Sequence, residues 1–539
     1  MKKSLSMLLI GMLLVVAVMV SGCADSKTEA SGTEEIRTDE LIAAVGTHGG
    51  EPESGFNPIT GWGYNHEPLI QSTLFNRNNN AAFVGDLATE HSASEDGYTW
   101  TVTIRNDVKF HDGESLTAED VAFTFNTAAN AGGSVDLSML EKATTIDDDT
   151  IKFELNDNQA TFINKLAVIG IVPEHAYNED YGQSPIGSGP YEFVQWDKGQ
   201  QVILEANPDY YGDEPYFKKL TIVFMEADTA FAAAKSGQID LAEIPSSYAS
   251  QKVDGMKVVS LDSIDARGIS FPIQSETGEK SEDGYPIGND VTSDIAIRKA
   301  LNIGIDRQKL VDAALNGQGE EEFTGVDKLP WGNKDAIFED GNIDEAKKIL
   351  NDAGWKDTDG DGIVEKNEVK AEFTLLYAAS AQERQALAVS ISEESKKIGI
   401  NIIPEGASWD KIDTLALSTP VVFGYGSLDP TDLYLKYYSK SYDPSSYNNI
   451  IKYSNPTVDS HLRAAITNPD QNAANKDWQL AAWDGDTGFS SKGDATWMWM
   501  ATVDYLYIMD EKIDIGTPKI QPHGADIFGN ILEWELKGN

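Results

Sequence analysis

The sequence predicts an α/β fold on three observations. Apolar residues alternate with period two in some segments and recur at helical spacing in others, and the two kinds of segment interleave along the chain. The hydrophobic share, 41% of 539 residues, is enough for an ample core spread over roughly two to four domains. In chain order, Thr99 to Arg105 puts Trp100, Val102 and Ile104 on one face, the pattern of a half-buried strand. Thr117, three residues ahead of Asp120 and followed by Val121, Phe123 and Phe125, marks a helix start. Thr229 to Ser236 is an alanine-rich helix stopped by Gly237. Ile295 to Ile303 and Gln308 to Leu315 are short helices, the second capped by Asp306 and stopped near Gly317. Asp344 to Ala353 and Gln382 to Ile398 are amphipathic helices on either side of a strand, Phe373 to Tyr377. Trp497 to Met500 reads as a core strand buried on both faces. The polar Gly/Pro segment from Ser275 to Asp290 is the expected boundary between halves.

Composition removes several functions. One cysteine excludes an internal disulfide framework and cysteine-rich zinc clusters. With 42 basic against 87 acidic residues and a formal net charge of −45, the composition argues against a protein that neutralises nucleic-acid phosphate or rests on an anionic membrane face. The acidity describes a solvated exterior and does not name a ligand.

Lys2 and Lys3, the apolar run from Leu8 to Val20, and Val20-Ser21-Gly22-Cys23 follow the order of a secretory signal, and the run is short for a membrane span. The end of this segment resembles the lipobox of secreted lipoproteins, which implies a signal peptide at 1–23 and lipid on Cys23. Residues 24–40, rich in Ser, Thr, Ala and Glu, are expected to form a flexible tether, with ordered structure beginning near Leu41.

Further blocks carry a family resemblance. Glu95-Asp96-Gly97 through Trp100, Phe110-His111-Asp112-Gly113 and Leu116 to Val121 come first, followed by Gly187-Ser188-Gly189-Pro190-Tyr191 and Asn207-Pro208-Asp209-Tyr210-Tyr211. Lys235 to Asp240, Ile297 to Asn302 with Ile305-Asp306-Arg307, and Tyr453-Ser454-Asn455-Pro456 complete the set. In this order they resemble the peptide/nickel solute-binding proteins, extracellular solute-binding family 5, across the whole chain after the tether. The resemblance implies a two-lobed periplasmic-binding-protein-like fold of the large, three-domain class II type, closing on a ligand between lobes. It places 41–75, 200–290 and 505–539 in the core domain of lobe I, 76–199 in its insertion and 291–504 in lobe II. It also implies delivery of a small, oligopeptide-like solute to an ABC permease and ATPase, from a monomer anchored outside the cytoplasmic membrane.

Catalytic signatures are missing: there is no Gly-x-Ser-x-Gly elbow, phosphate loop or His-Glu-x-x-His pair. No enzymatic activity and no required cofactor are expected, with a secreted α/β hydrolase as the alternative from another class. Asp357, Asp359, Asp361, the carbonyl of Ile363 and Glu368 match the ligand spacing of an EF-hand calcium loop, although a strand rather than a helix follows. A structural calcium site and a solvated acidic turn are both open.

For the solute, the family's amine-binding aspartate falls at Gly426, within Phe423 to Pro430, which disfavours ordinary dipeptide capture; Asp429 is either its substitute or a helix cap. The nickel-binding alternative lacks its histidine, since Thr431 stands there, and lacks arginine between Ala167 and Val172. His48, His66 and His523 are the imidazoles expected near the cleft, for solute or a metal chelate. Trp62, Tyr64 and Tyr425 are the expected aromatic contacts. His111 and His175 are expected to be structural, and His91 and His461 exposed.

Overall fold

The computed structural model describes residues 39–45, 51–64 and 68–538. Segment 1–23 with Cys23, the tether as far as residue 38, His48 and His66 lie outside the described residues. Among the described residues no helix is long and apolar enough to cross a membrane.

A seven-stranded sheet runs Met256–Leu261, Tyr505–Asp510, Leu241–Ile244, Glu40–Ala44, Lys219–Val223, Gln201–Ala206, Tyr191–Asp197. Glu40–Ala44 is central and parallel to both neighbours. The helix Ala227–Lys235 links those neighbours and buries Ala230, Ala233 and Ala234, side chains small enough to let it lie close on the sheet. A six-stranded sheet runs Gly319–Glu321, Trp497–Val503, Ala266–Ser270, Val421–Tyr425, Glu372–Ala378, Asn401–Ala407. Its last three strands are parallel, and the helix Gln382–Ser395 joins two of them. Trp497–Val503 is buried along its whole length, as the uninterrupted apolar run predicts. The third body is an antiparallel four-stranded sheet of Ala88–Ala93, Thr99–Ile104, Thr150–Leu155 and Leu140–Thr145, covered by the helix Ala118–Ala131. Phe125 meets Phe153 edge to face at 5.0 Å in its separate core.

The chain passes between the two large sheets at residues 262–265 and again at Asp504. Ser275 to Asp290 is therefore not the crossing point. It is a surface excursion with its own bridge between Lys280 and Pro286, whereas the true crossings run almost directly from strand to strand and need no Gly/Pro punctuation. Strand membership also departs from boundaries at 200 and 291. Tyr191–Asp197 pairs in the seven-stranded sheet, and Ala266–Ser270 in the six-stranded one.

Several sequence blocks join these bodies. Gly187 and Gly189 pass so close to Leu69 and Ile70 that a Cβ at either would overlap their backbone, while Gly189 N donates to Ile70 O at 2.8 Å. His111 clamps the same turn. Its Nδ1 accepts from Gly187 N and its Nε2 donates to Gly189 O, both at 3.2 Å, which is the pattern of a neutral imidazole. Burial lowers its pKa from the ordinary 6.5 to about 4. The unfolded chain therefore takes up a proton between those values that the folded one refuses. Stability from this group is complete above pH 6.5 and declines as pH falls toward 4, by about 3 kcal/mol. Urea unfolding at pH 7.5 and 4.5 should show this loss, and His111→Gln should reduce the difference between the two.

Candidate functional site

Three regions of chain converge on a cavity of about 360 Å³. Tyr64, Arg77 and Lys165 come from the seven- and four-stranded bodies, Tyr425 to Asp432 from the turn after a parallel strand of the six-stranded sheet, and His523 from the C-terminal segment. The position follows from topology, because the carboxyl ends of parallel strands leave a crevice that connecting loops can line. Ala167 and Val168 supply apolar wall from the stretch that lacks arginine, and the nearby positive charge comes instead from Lys165.

The structure thus brings together Tyr64, Tyr425, Gly426, Asp429 and His523. Trp62 is not part of the wall. It packs edge to face on Phe56 at 4.8 Å and joins the core beneath. Gly426 is closed to any side chain, since a Cβ there would overlap Ile264 O and approach Asp265 Cα to 2.9 Å. An aspartate cannot be accommodated at that place, and the glycine instead offers its carbonyl to His523 N at 2.8 Å. Asp429 does cap its helix, accepting from Thr431 N at 2.9 Å, and its second oxygen receives Lys165 Nζ at 2.9 Å.

Below the cavity lies a charged hinge that the sequence does not announce. Asp265, fully buried at the 262–265 crossing, accepts from His523 Nδ1 and from Tyr505 Oη, each at 2.8 Å, and pairs with Arg267. Burial opposes its charge, but Arg267 and His523 overcome that and hold the carboxyl well below the usual carboxylate range. Arg267 likewise resists burial and stays charged through Asp265 and Glu383. Ser263 Oγ donates to Val503 O at 2.5 Å, tying one crossing strand to the other.

Arg384, at the start of helix Gln382–Ser395, is the second residue that pattern reading missed. A Cβ on Gly424 would stand 2.6 Å from Arg267 Nη1 and 3.1 Å from Arg384 Nη2, so both guanidinium groups converge on that glycine. Arg384 is only 7% exposed, yet its Nε and Nη1 have no hydrogen-bond acceptor. Burial and the neighbouring Arg267 lower its pKa to about 10. No spacing signal marks either arginine; they meet because antiparallel pairing sets Arg267 opposite Gly424.

The calcium-like loop lies elsewhere. Carboxylates of Asp357, Asp359 and Asp361 approach within 4.8 Å of one another, but Lys370 Nζ bridges Asp359 and Asp361. Asp361 also accepts from Ile363 N at 2.9 Å, and Glu368 sits at the tip of a hairpin with φ of 70°. The hairpin stands where the second EF-hand helix would, and it carries the Lys370 ammonium against Asp359 and Asp361.

The family model for bacterial extracellular solute-binding proteins, family 5 Middle, matches residues 82–461. The chain is 30% identical to Protein XP55 of Streptomyces lividans, over 87% of this chain and 85% of that protein. It is 29% identical to oligopeptide-binding protein AppA of Bacillus subtilis, over 76% and 78% of the two chains. Its fold matches the crystal structure of NikZ from Campylobacter jejuni in complex with Ni(L-His), with a TM-score of 0.77 at 23% identity, covering 93% of this chain and 100% of that one. It also matches AppA in complex with a nonapeptide, with a TM-score of 0.71 at 24% identity, covering 93% and 99%.

Proposed function

The chain belongs to family 5 of the bacterial extracellular solute-binding proteins, and from that membership we propose that its interlobe cavity captures a short peptide or a solute of similar size and polarity. It is an extracytoplasmic substrate-binding protein of peptide/nickel-type ABC import, in a family of solute carriers that work with a permease and an ATPase. The observation that carries the ligand reading is the cavity walled from both lobes, whose volume of about 360 Å³ is at the small end of the ~300–1,000 Å³ typical of ligand pockets. Contacts to both walls favour the closed state that a membrane partner can recognise. In this reading the protein is a monomer, Cys23 carries the lipid anchor, capture needs no cofactor, and bound solute is released unchanged.

We assign Arg384, which does not itself line the cavity but stands beside Gly424, to an anionic end of the solute: Glu383 lies 3.8 Å from its Nε, beyond hydrogen-bond reach, and a carboxylate would supply the acceptor that Nε and Nη1 lack. The nickel or metal-chelate alternative keeps one donor, since His523 gives Nδ1 to Asp265 and is left with Nε2 for a metal. Incubation with a pool of di- to pentapeptides, gel filtration and mass spectrometry of the retained fraction test the assignment. Wild-type protein should retain one intact peptide per chain, and Arg384→Met should retain it about 10- to 100-fold more weakly, the value of about 1.5–3 kcal/mol for a charged hydrogen bond. The variant's unfolding midpoint should be unchanged or raised, since it removes a charge beside Arg267. Cleaved peptides in the retained fraction would point to the hydrolase alternative.

A further inference from the structure

Lys165 and Asp429 form a largely buried ion pair across the cleft. Lys165 belongs to the helix Ile163–Leu166, packed with the four-stranded body, and Asp429 to the turn after the strand Val421–Tyr425 of the opposite lobe. Their side chains are 11% and 18% exposed, and both line the cavity. Asp429 spends its other oxygen on Thr431 N. The nearby Arg77 directs its N–H groups to Ala81 O, Asn164 Oδ1 and Leu428 O. Other contacts between the lobes, His523 N to Gly426 O among them, are of a different kind. Arg77 donates to a backbone carbonyl, Thr431 Oγ1 meets Thr161 Oγ1 at 2.8 Å, and the pair Arg463–Asp157 at 3.2 Å is exposed. Opening the lobes separates Lys165 from Asp429 and returns each to water; closing them without Lys165 would leave that carboxylate with no hydrogen-bonded cation and only the field of the nearby Arg77.

We propose that Lys165 is a built-in counter-cation: it fills the carboxylate Asp429 in the closed cleft, so the transported solute brings no ammonium to that point. Lys165 is therefore both a specificity determinant and part of the closing device. The specificity half rests on the solute-binding reading, whereas the closing half does not.

Spin labels on the two lobes, read by pulsed electron paramagnetic resonance, test the closing half without any solute. Wild type should populate the short distance, and Lys165→Ala and Lys165→Met should each reduce that population at least tenfold. The n-propylammonium ion, which replaces the deleted part of the side chain, should restore closure in Lys165→Ala, and n-propanol should not. Asp429→Asn should open the cleft and gain nothing from the amine. Closure unaltered in Lys165→Ala, rescue by the alcohol as readily as by the amine, or amine rescue of Asp429→Asn would each overturn the proposal. For the specificity half, matched tripeptides with free and acetylated amino termini are titrated. The free-to-acetylated affinity ratio should rise at least tenfold in Lys165→Ala over wild type, and an unchanged ratio, or no binding of either form, would overturn that half. A failure confined to the tripeptides would count against the solute reading while leaving the closing role decided by the distances.

Discussion

Asp265→Asn should destabilise the protein by about 3–5 kcal/mol, because it strips the compensating charge from a buried guanidinium. Asp265 is fully buried, Arg267 is 3% exposed, and the next carboxylate, Glu383, is 3.5 Å from Arg267 on a side chain 34% exposed. The asparagine also cannot accept equally from Arg267, His523 and Tyr505. As the native carboxyl is held well below the usual range, its contribution is present above the ordinary carboxylate pKa and is lost only as pH falls through the depressed value. The deficit should therefore be similar at pH 5 and pH 8 in urea unfolding. Adding Arg267→Met should recover part of the loss, since it removes the orphaned charge, and a deficit below about 1 kcal/mol would show that the hinge pair is dispensable. The same variant should alter lobe closure, because residue 265 lies where the chain crosses from one large sheet to the other.

Arg307→Met should cost a comparable 3–5 kcal/mol, with the loss confined to the six-stranded lobe. Arg307 is fully buried and pairs with Asp340 at 2.8 Å. It donates to Trp499 O at 2.7 Å, to Glu322 O and Asn302 O at 3.0 Å, and to Asn302 Oδ1 at 2.8 Å. Its guanidinium also lies 4.5 Å from the centre of the Phe323 ring. Methionine fills most of the volume but leaves those carbonyls and Asp340 without a donor. Hydrogen exchange should show new openings at Trp497–Val503 and Ile295–Gly304, while the helix Ala118–Ala131 stays protected. Equal loss of protection in all three would contradict this.

These two arginines show what the sequence can and cannot reveal. Arg307 sits in a block with local order, Asn302 to Arg307, in which Asn302 is a near partner although Trp499 is 192 residues away, and the helix Arg307–Ala314 with its Asp306 cap follows from that order. The predicted helices at 295, 344 and 382 begin within one residue of Ile295–Gly304, Ile343–Asp352 and Gln382–Ser395, because caps and apolar spacing are local signals. The site is less legible. Tyr64, Tyr425, Asp429 and His523 were accessible as residues bordering Gly-, Pro- and aromatic-rich turns. Lys165 was not, since its partner Asp429 is 264 residues away, and neither was the Asp265–Arg267 pair, whose two residues are neighbours in sequence but meet His523 across 258 residues. The glycine at 426 misled for the same reason. It reads as a missing carboxylate, whereas its absent side chain makes room for the hinge backbone at Ile264 and Asp265.

Native mass spectrometry with metal analysis, after incubation with the peptide pool, reads directly whether solute is held in the interlobe cavity. Wild type is compared with a Val168→Trp variant whose indole would intrude on the cavity from its wall. Wild type should carry a one-to-one adduct of a small, metal-free organic mass, and the variant none at equal unfolding temperature. An adduct of equal abundance on both proteins, or a wild type that takes up nothing from the pool, would contradict it.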